Sequence, residues 1–288
     1  SDVCSSDLNF DSIYHQKGII TAFKEAGYQT AFFSNQRYNH SFIDFFGKEA
    51  DTFDFIKEDS LDSAYNPSDD ELLALVAKEL SKGNQKQFIV LHTYGSHFNY
   101  RERYPSEDAF FLPDYPVEAE VKYRDNLVNA YDNTIRYTDS FLSRLIHMLE
   151  EQHVDAAMLY TSDHGEDIFD DSRHLFLHAS PVPSYYQLHV PFLIWMSDTY
   201  REAYPEHWQT VTKNKDKDLS SSRSFFPTML ELGGVQTSYR NDSSSVVSPL
   251  YTMKPRVYLN DHNEPRPLDD LGMKQPDFQK CQVLGIKY

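Results

Sequence analysis

Histidines, carboxylates and hydroxyls are concentrated in three short segments that could bind a metal ion or a phosphoryl group. Residues 162–166 read SDHGE, residues 92–97 read HTYGSH and residues 174–178 read HLFLH. Imidazole nitrogens and carboxylate oxygens are ligands for Zn²⁺ and similar divalent ions. Motifs of other enzyme classes (GxSxG, GxGxxG, GxxxxGK[ST] and HExxH) do not occur. These three segments are therefore the candidate site.

The SDHGE segment follows a predicted buried strand at 156–162. Asp163 and His164 are adjacent, so they cannot share one face of a strand, but a turn can direct both at one ion. Gly165 would let the backbone approach closely there. The bare pair is equally compatible with surface or hydrogen-bonded structural residues. The acidic stretch 167–171 that follows, DIFDD, is predicted to be a solvated loop.

The other two segments each offer one histidine that is the better candidate. His92 falls inside a predicted strand, which favours a structural role, whereas His97 follows a glycine turn and is more typical of a site. His174 and His178 have the spacing of a chelating pair on a helix. Prolines at 181 and 183 argue against a helix, so we expect His178 alone to be a ligand.

The surrounding chain alternates predicted helices with short apolar strands. The helices are predicted at 13–26, from residue 71 with a capping box formed by Ser68 and Glu71, at 118–151 and at 222–232; the strands are predicted at 28–34, 87–93, 156–162, 191–197 and 256–260. This alternation predicts an α/β fold with a largely parallel central sheet flanked by helices on both faces. Ligands of such sheets bind beyond the carboxyl ends of the strands.

The composition excludes several classes of protein. The 288 residues include 27 basic and 44 acidic side chains, a net charge of −17, and no basic stripe, so we expect no nucleic-acid partner. Two cysteines, Cys4 and Cys281, cannot form a disulfide framework. No apolar run is long enough to cross a membrane.

The first eight residues, SDVCSSDL, are mostly polar and show no apolar periodicity. Their reverse translation matches the end of a sequencing-library adapter, so we interpret residues 1–8 as an adapter artefact and residues 9–288 as one domain of a longer protein. The alternative is a natural, disordered N-terminus.

Taken in order along the chain, the motifs resemble the periplasmic catalytic domain of the phosphoethanolamine transferases, in the sulfatase-like branch of the alkaline phosphatase superfamily. The resemblance covers residues 13–260. It is carried by AGYQTAFFSNQ at 26–36, GSH at 95–97, LVNAYDNTIRYTDSFL at 127–142, SDHGE at 162–166, LH at 177–178, HVPFLIW at 189–195 and SFFPTMLELGGVQT at 224–237.

The resemblance implies roles for individual residues. Asp163 and His164 would bind zinc. His97 and His178 would act on the phosphoryl group or bind a second zinc. Asn35, Ser96 and Glu166 would contact substrate, Asn35 near the ethanolamine head group. The family's threonine nucleophile, a further zinc-binding glutamate and the membrane helices would lie upstream of residue 9.

The resemblance also implies an activity, a cofactor and a location. One or two Zn²⁺ ions would support transfer of phosphoethanolamine from phosphatidylethanolamine to a cell-envelope glycolipid, lipid A or a core sugar, through a phosphothreonine. The enzyme would sit in the inner membrane with this domain in the periplasm. A sulfatase, a phosphoglycerol transferase of the same superfamily and a degenerate, non-catalytic binding domain are the alternatives.

Overall fold

The structure is a computed structural model that describes residues 17–36, 42–57, 66–83, 86–178, 182–259 and 265–286. The chain divides into two compact units, Asp11–Gln152 and a unit that contains His153–Tyr288. Residues 1–8, interpreted above as an adapter artefact, lie outside the described ranges. The single domain proposed for residues 9–288 stays a prediction.

The first unit contains a parallel three-stranded sheet. Its strands lie in the order β2 (Thr52–Phe55), β1 (Gln29–Ser34) and β3 (Gln87–His92), and Ser34 at the end of β1 is level with His92 at the end of β3. The described elements are α1 (Ile19–Glu25), β1 (Gln29–Ser34), α2 (Phe42–Gly47), β2 (Thr52–Phe55), α3 (Glu71–Leu80), β3 (Gln87–His92) and α4 (Arg124–Glu151).

Helices α1 and α3 contact strand β1 and bury apolar side chains beside the sheet. Phe23 of α1 stacks on Phe88 of β3 with ring centroids 3.8 Å apart and nearly parallel planes. Leu72 and Val76, one turn apart on α3, are both buried. Burying side chains of this size stabilises the fold by roughly 1.5–3 kcal/mol each. The sheet is thereby a rigid base for the loops at its carboxyl edge.

The second unit is built from short strand pairs and helices. Its described strands pair as Ala157–Thr161 with Phe192–Met196, Asp167–Ile168 with Phe176–Leu177, and Val257–Leu259 with Pro265–Pro267, and all of these pairs are antiparallel. The described elements are β4 (Ala157–Thr161), β5 (Asp167–Ile168), β6 (Phe176–Leu177), α5 (Tyr185–Leu188), β7 (Phe192–Met196), α6 (Asp198–Ala203), α7 (Pro205–Asn214), α8 (Ser221–Leu232), β8 (Val257–Leu259), β9 (Pro265–Pro267) and α9 (Gln275–Val283).

The apolar core of the second unit lies beside β4 and β7. Met196, Tyr200, Leu232, Val247 and Tyr251 belong to one buried cluster, and Ala157 and Ile194 of the strand pair pack against it. These apolar contacts join the strand pair to helix α8. The loop after β4 contributes no residue to this cluster and carries polar side chains.

The α/β class is confirmed, and the strands predicted at 28–34, 87–93, 156–162 and 191–197 are present. The parallel arrangement holds for the three-stranded sheet of the first unit, whereas the described strand pairs of the second unit, β4/β7, β5/β6 and β8/β9, are antiparallel. Of the strand predicted at 256–260, Val257–Leu259 form β8 and residue 256 precedes it, whereas residue 260 lies outside the described part of the chain, as does the first part of the helix predicted at 13–26.

The predicted capping box at the start of α3 is wrong. Asp70, and not Ser68, is the N-cap residue, and it makes no side-chain capping bond. Both carboxylate oxygens of Asp70 instead accept hydrogen bonds from Arg144 of α4. This ion pair ties the start of α3 to the long helix. Among the described helices, none has both the length and the apolar character that crossing a bilayer requires.

Candidate metal centre

The short hairpin β5–β6 brings Glu166 and His178 together. Asp167 pairs with Leu177 and Ile168 with Phe176 in antiparallel register, so the residues that flank the hairpin on its open side are neighbours. His178 Nδ1 lies 3.1 Å from Glu166 Oε1. When Nδ1 carries the proton, the ring donates to the carboxylate, and Nε2 is the nitrogen whose lone pair can bind a metal ion.

His164 completes a group of three. Its ring stacks on that of His178 with centroids 3.6 Å apart, and its Nδ1 lies 3.0 Å from Gly165 O. One ligand atom each from His164, Glu166 and His178 lies within 4.8 Å of the others. Two imidazoles and a carboxylate form a donor set that suits Zn²⁺. The residues present therefore fit the predicted zinc.

The side chains of Glu166 and His178 are largely shielded from water, which strengthens the electrostatic interactions between them and with any bound ion. The Glu166 side chain is only 4% exposed and that of His178 is 18% exposed. A carboxylate so far from water needs a cation or several hydrogen-bond donors close by. A divalent ion beside Glu166 would meet this requirement.

Helix α5 supports the backbone of the centre through Asp167 and Gly165. Asp167 is 2% exposed, and its carboxylate accepts hydrogen bonds from Ser184 Oγ at 2.7 Å and Gln187 Nε2 at 2.6 Å. Burial raises the pKa of Asp167. The Gly165 N–H donates to Gln187 O, and a Cβ on Gly165 would lie 2.1 Å from Tyr186 O. Only glycine fits this close approach.

The prediction that residues 167–171 form a solvated loop is wrong in its first half. Asp167 and Ile168 are buried and form strand β5. Phe169 is buried as well and stacks on Phe176 of β6. The sequence did not indicate this strand, because the stretch is rich in acidic residues and a strand of two residues is too short to show an alternation of apolar and polar side chains.

The tip of the hairpin is held by charged side chains from two directions. Arg173 contacts Asp171 of the tip and donates to both carboxylate oxygens of Asp277 on α9, at 2.6 and 2.8 Å. The two carboxylates raise the pKa of the Arg173 guanidinium, so it is always charged. His174 and Leu177 have φ values of 53° and 64°, a region that side chains rarely adopt. The surroundings thus impose this conformation.

Asp163 lies beside the group but is not one of its members. Its side chain is 88% exposed, and its Oδ1 accepts a hydrogen bond from the His164 N–H at 3.0 Å. The role of Asp163 as a zinc ligand stays a prediction. His174, which was expected not to pair with His178, is likewise outside the group.

The other predicted site residues belong to the first unit, at the carboxyl ends of β1 and β3. Asn35 is buried, and its Nδ2 donates to Pro67 O and Asp69 Oδ1. Asp69 also accepts from the N–H groups of Tyr94 and Gly95. Asn35 and Asp69 thereby fix the loop that carries Ser96 and His97, and contact of Asn35 with substrate stays a prediction.

Ser96 and His97 are both held within this loop. Ser96 Oγ lies 2.7 Å from Thr134 Oγ1 on α4, and His97 Nδ1 lies 2.5 Å from Phe98 O. Thr134 is part of the NAYDNT motif, so the structure gives that motif a role in orienting the GSH turn. His92, expected to be structural, lies with its Nδ1 2.9 Å from Ser34 Oγ across the sheet.

Sequence reasoning missed the residues that support the metal centre. Gln187, Arg173 and Asp277 are not part of any motif that it singled out. Arg173 and Asp277 are 104 positions apart, and no local pattern links residues at that distance. One sequence feature could have indicated helix α9. Pro276 lies in its first turn, where proline is common.

The family model described as Sulfatase matches residues 4–235. Because the match covers most of the chain, the chain belongs to the sulfatase family. The metal group His164–Glu166–His178 lies within the matched range, whereas Asp277 lies beyond it.

Among curated proteins, the chain is similar to phosphoethanolamine transferases. It is 35% identical over 168 residues to phosphoethanolamine transferase EptA of Salmonella typhimurium, a match that covers 56% of this chain and 30% of that protein. It is 24% identical over 258 residues to EptC of Escherichia coli, covering 86% of this chain and 43% of that protein. These matches therefore span less than half the length of either relative.

Among solved structures, the chain resembles periplasmic domains of the same enzymes. The zinc complex of the C-terminal periplasmic domain of Escherichia coli EptC matches with a TM-score of 0.79 at 22% identity, covering 91% of this chain and 74% of that one. The integral membrane EptA of Neisseria meningitidis matches with a TM-score of 0.73 at 25% identity, covering 84% and 45%. The fold is thus that of a phosphoethanolamine transferase catalytic domain of the sulfatase family.

Proposed function

We propose that this chain is the catalytic domain of a zinc-dependent phosphoethanolamine transferase. The observation that carries the proposal is the grouping of His164 and Glu166, which follow β4, with His178, which follows β6, in a chain similar to transferases of this kind. The donor would be phosphatidylethanolamine and the acceptor a cell-envelope glycolipid such as lipid A. The location would be the inner membrane, with this domain in the periplasm.

The reaction would proceed in two displacements. A threonine oxygen, which the resemblance places upstream of residue 9, would attack phosphorus and form a new P–O bond. The bond from phosphorus to the glycerol oxygen would break, and diacylglycerol would leave with the proton that the threonine hydroxyl gives up. An acceptor hydroxyl then attacks the phosphothreonine and restores the threonine. Bound zinc would supply positive charge that stabilises the phosphoryl oxygens and the attacking oxygen.

Residues of this chain would hold the zinc ion in place and transfer protons. Glu166 would accept a hydrogen bond from His178 Nδ1 and so orient the ring. This contact would also fix the tautomer in which Nε2 can bind the zinc ion. His164 is held in the same way by Gly165 O. His97 is retained as a candidate proton donor to the leaving group, a role we assign on the motif alone.

The test uses the full-length enzyme encoded by the source gene. Membranes that contain it are incubated with phosphatidylethanolamine labelled in the ethanolamine, and labelled glycolipid is measured by mass spectrometry. We expect transfer that chelators abolish, and its loss in His164→Ala and His178→Ala. His147→Ala, an exposed histidine of α4, is the matched control. Unaltered transfer in both site variants, or hydrolysis of an aryl sulfate without transfer, would contradict the proposal.

A further inference from the structure

A cavity of about 240 Å³ lies in the second unit beside the start of helix α8. Its walls come from the segment before α8 and the segment before β8. The residues that matter for its chemistry are Asp218, Ser220, Arg223, Thr252, Lys254 and Arg256. No residue of the group His164–Glu166–His178 lines it.

Three cationic side chains face one carboxylate in this cavity. Arg256 Nη2 forms an ion pair with Asp218 Oδ1 at 3.5 Å, and a guanidinium group has five N–H donors in all. Arg223 and Lys254 add two more charges. A local excess of positive charge is notable in a chain with a net charge of −17. It indicates a site for an anion.

The arginines are held in place by their surroundings. Arg223 Nη1 donates to Pro255 O at 3.3 Å, and the Arg256 side chain is only 18% exposed. Tyr251 donates to Asp218 O at 3.0 Å and so fixes the opposite wall. Because the guanidinium groups are already positioned, binding an anion would cost little side-chain entropy.

We propose that this cavity binds the oxyanion of a phosphate ester. Planar guanidinium groups match two oxygens of a phosphate at once, and the hydroxyls of Ser220 and Thr252 can donate to the remaining oxygens. The start of α8 at Ser221 adds favourable N–H groups. The volume is somewhat below the roughly 300–1,000 Å³ of pockets for drug-sized ligands, which suits a phosphate carrying one sugar ring.

The test measures anion binding to the metal-free 288-residue chain, so that a metal centre cannot contribute. Isothermal titration calorimetry is carried out with inorganic phosphate and, separately, with glucosamine 1-phosphate. The variants are Arg223→Gln and Arg256→Gln. Arg201→Gln is the matched control, because Arg201 lies on α6 in the same unit, outside the cavity. Circular dichroism and the thermal midpoint check that each variant is folded.

We expect saturable binding that weakens by about tenfold or more in Arg223→Gln and Arg256→Gln, the loss of one charge-assisted hydrogen bond, and no change in Arg201→Gln. Tighter binding of glucosamine 1-phosphate than of phosphate would assign the cavity to a sugar phosphate, and equal binding would assign it to the phosphate group alone. No saturable binding of either anion, or equal affinity in all variants, would overturn the proposal. The result is independent of the proposed transferase activity.

Discussion

Arg173 and Asp277 join the tip of the β5–β6 hairpin to helix α9 through two hydrogen bonds of 2.6 and 2.8 Å. The Asp277 side chain is fully buried and also accepts from the N–H groups of Tyr185 and Lys274. One carboxylate therefore holds the hairpin, the start of α5 and the start of α9. The hairpin in turn brings Glu166 and His178 together.

Arg173→Gln is expected to destabilise the chain by about 3 kcal/mol or more, because it leaves Asp277 buried without its cation. Urea unfolding measures this. Arg201→Gln, which removes the more exposed pair with Asp198, is expected to cost no more than about 1 kcal/mol. Equal unfolding free energies for the two variants would show that the contact with Asp277 is not structural.

Glu166→Gln is expected to lower zinc affinity by about 10–100-fold, since the amide provides neither the negative charge nor the same orientation of His178. Competition with a chromophoric chelator measures the affinity. Glu206→Gln, an exposed position on α7, is the control and is expected to bind zinc as the original chain does. A Glu166→Gln chain with unchanged affinity would remove Glu166 from the metal centre.

Gly165→Ala is expected to destabilise the chain by about 2 kcal/mol or more, since the new Cβ would lie 2.1 Å from Tyr186 O and force α5 or the loop to move. Gly83→Ala is the comparison. Gly83 has a φ of 67° but open space around it, so its cost is the conformational one of about 1 kcal/mol. Thermal unfolding in both variants would show whether the close contact is as restrictive as the structure indicates.

Acid is expected to weaken the hairpin tip through Asp171. Hydrogen bonding from Arg173 lowers the pKa of Asp171 in the folded chain, below the value of about 3.9 expected when unfolded. Its contribution to the unfolding free energy is therefore full above pH ~4 and is lost as the pH falls through the lowered pKa.

The measurement for Asp171 is the unfolding free energy of the original chain and of Asp171→Asn across this pH range. The difference between them is expected to be constant near neutral pH and to shrink below pH ~4. Asp125→Asn, a position 93% exposed, should differ little from the original chain throughout. A difference for Asp171→Asn that grows on acidification would contradict the role of its ion pair.

The strands β1, β3, β4 and β7 could be predicted because each is a run of mostly apolar residues. Their pairing could not be predicted, since apolar runs of this kind do not distinguish the antiparallel partner of β4 from a parallel one. The strands β5 and β6 have two residues each, which is too few to show an alternation of apolar and polar side chains. Yet these are the strands that position Glu166 and His178.

The candidate site was predicted in part. His164 and His178 were singled out from the motifs, and the structure brings them together. Glu166 was assigned to substrate, whereas its geometry groups it with the two histidines. Asp277 was not identified because its partner, Arg173, is 104 residues away, and a long-range ion pair leaves no mark on the sequence around either residue.

The most direct test of the metal centre is a crystal of the chain soaked with zinc and measured at the zinc absorption edge. We expect an anomalous peak within about 2.0–2.2 Å of ligand atoms from His164, Glu166 and His178. A peak that contacts Asp163 as well would extend the ligand set. Zinc that binds elsewhere, with no peak among these three side chains, would contradict the central claim.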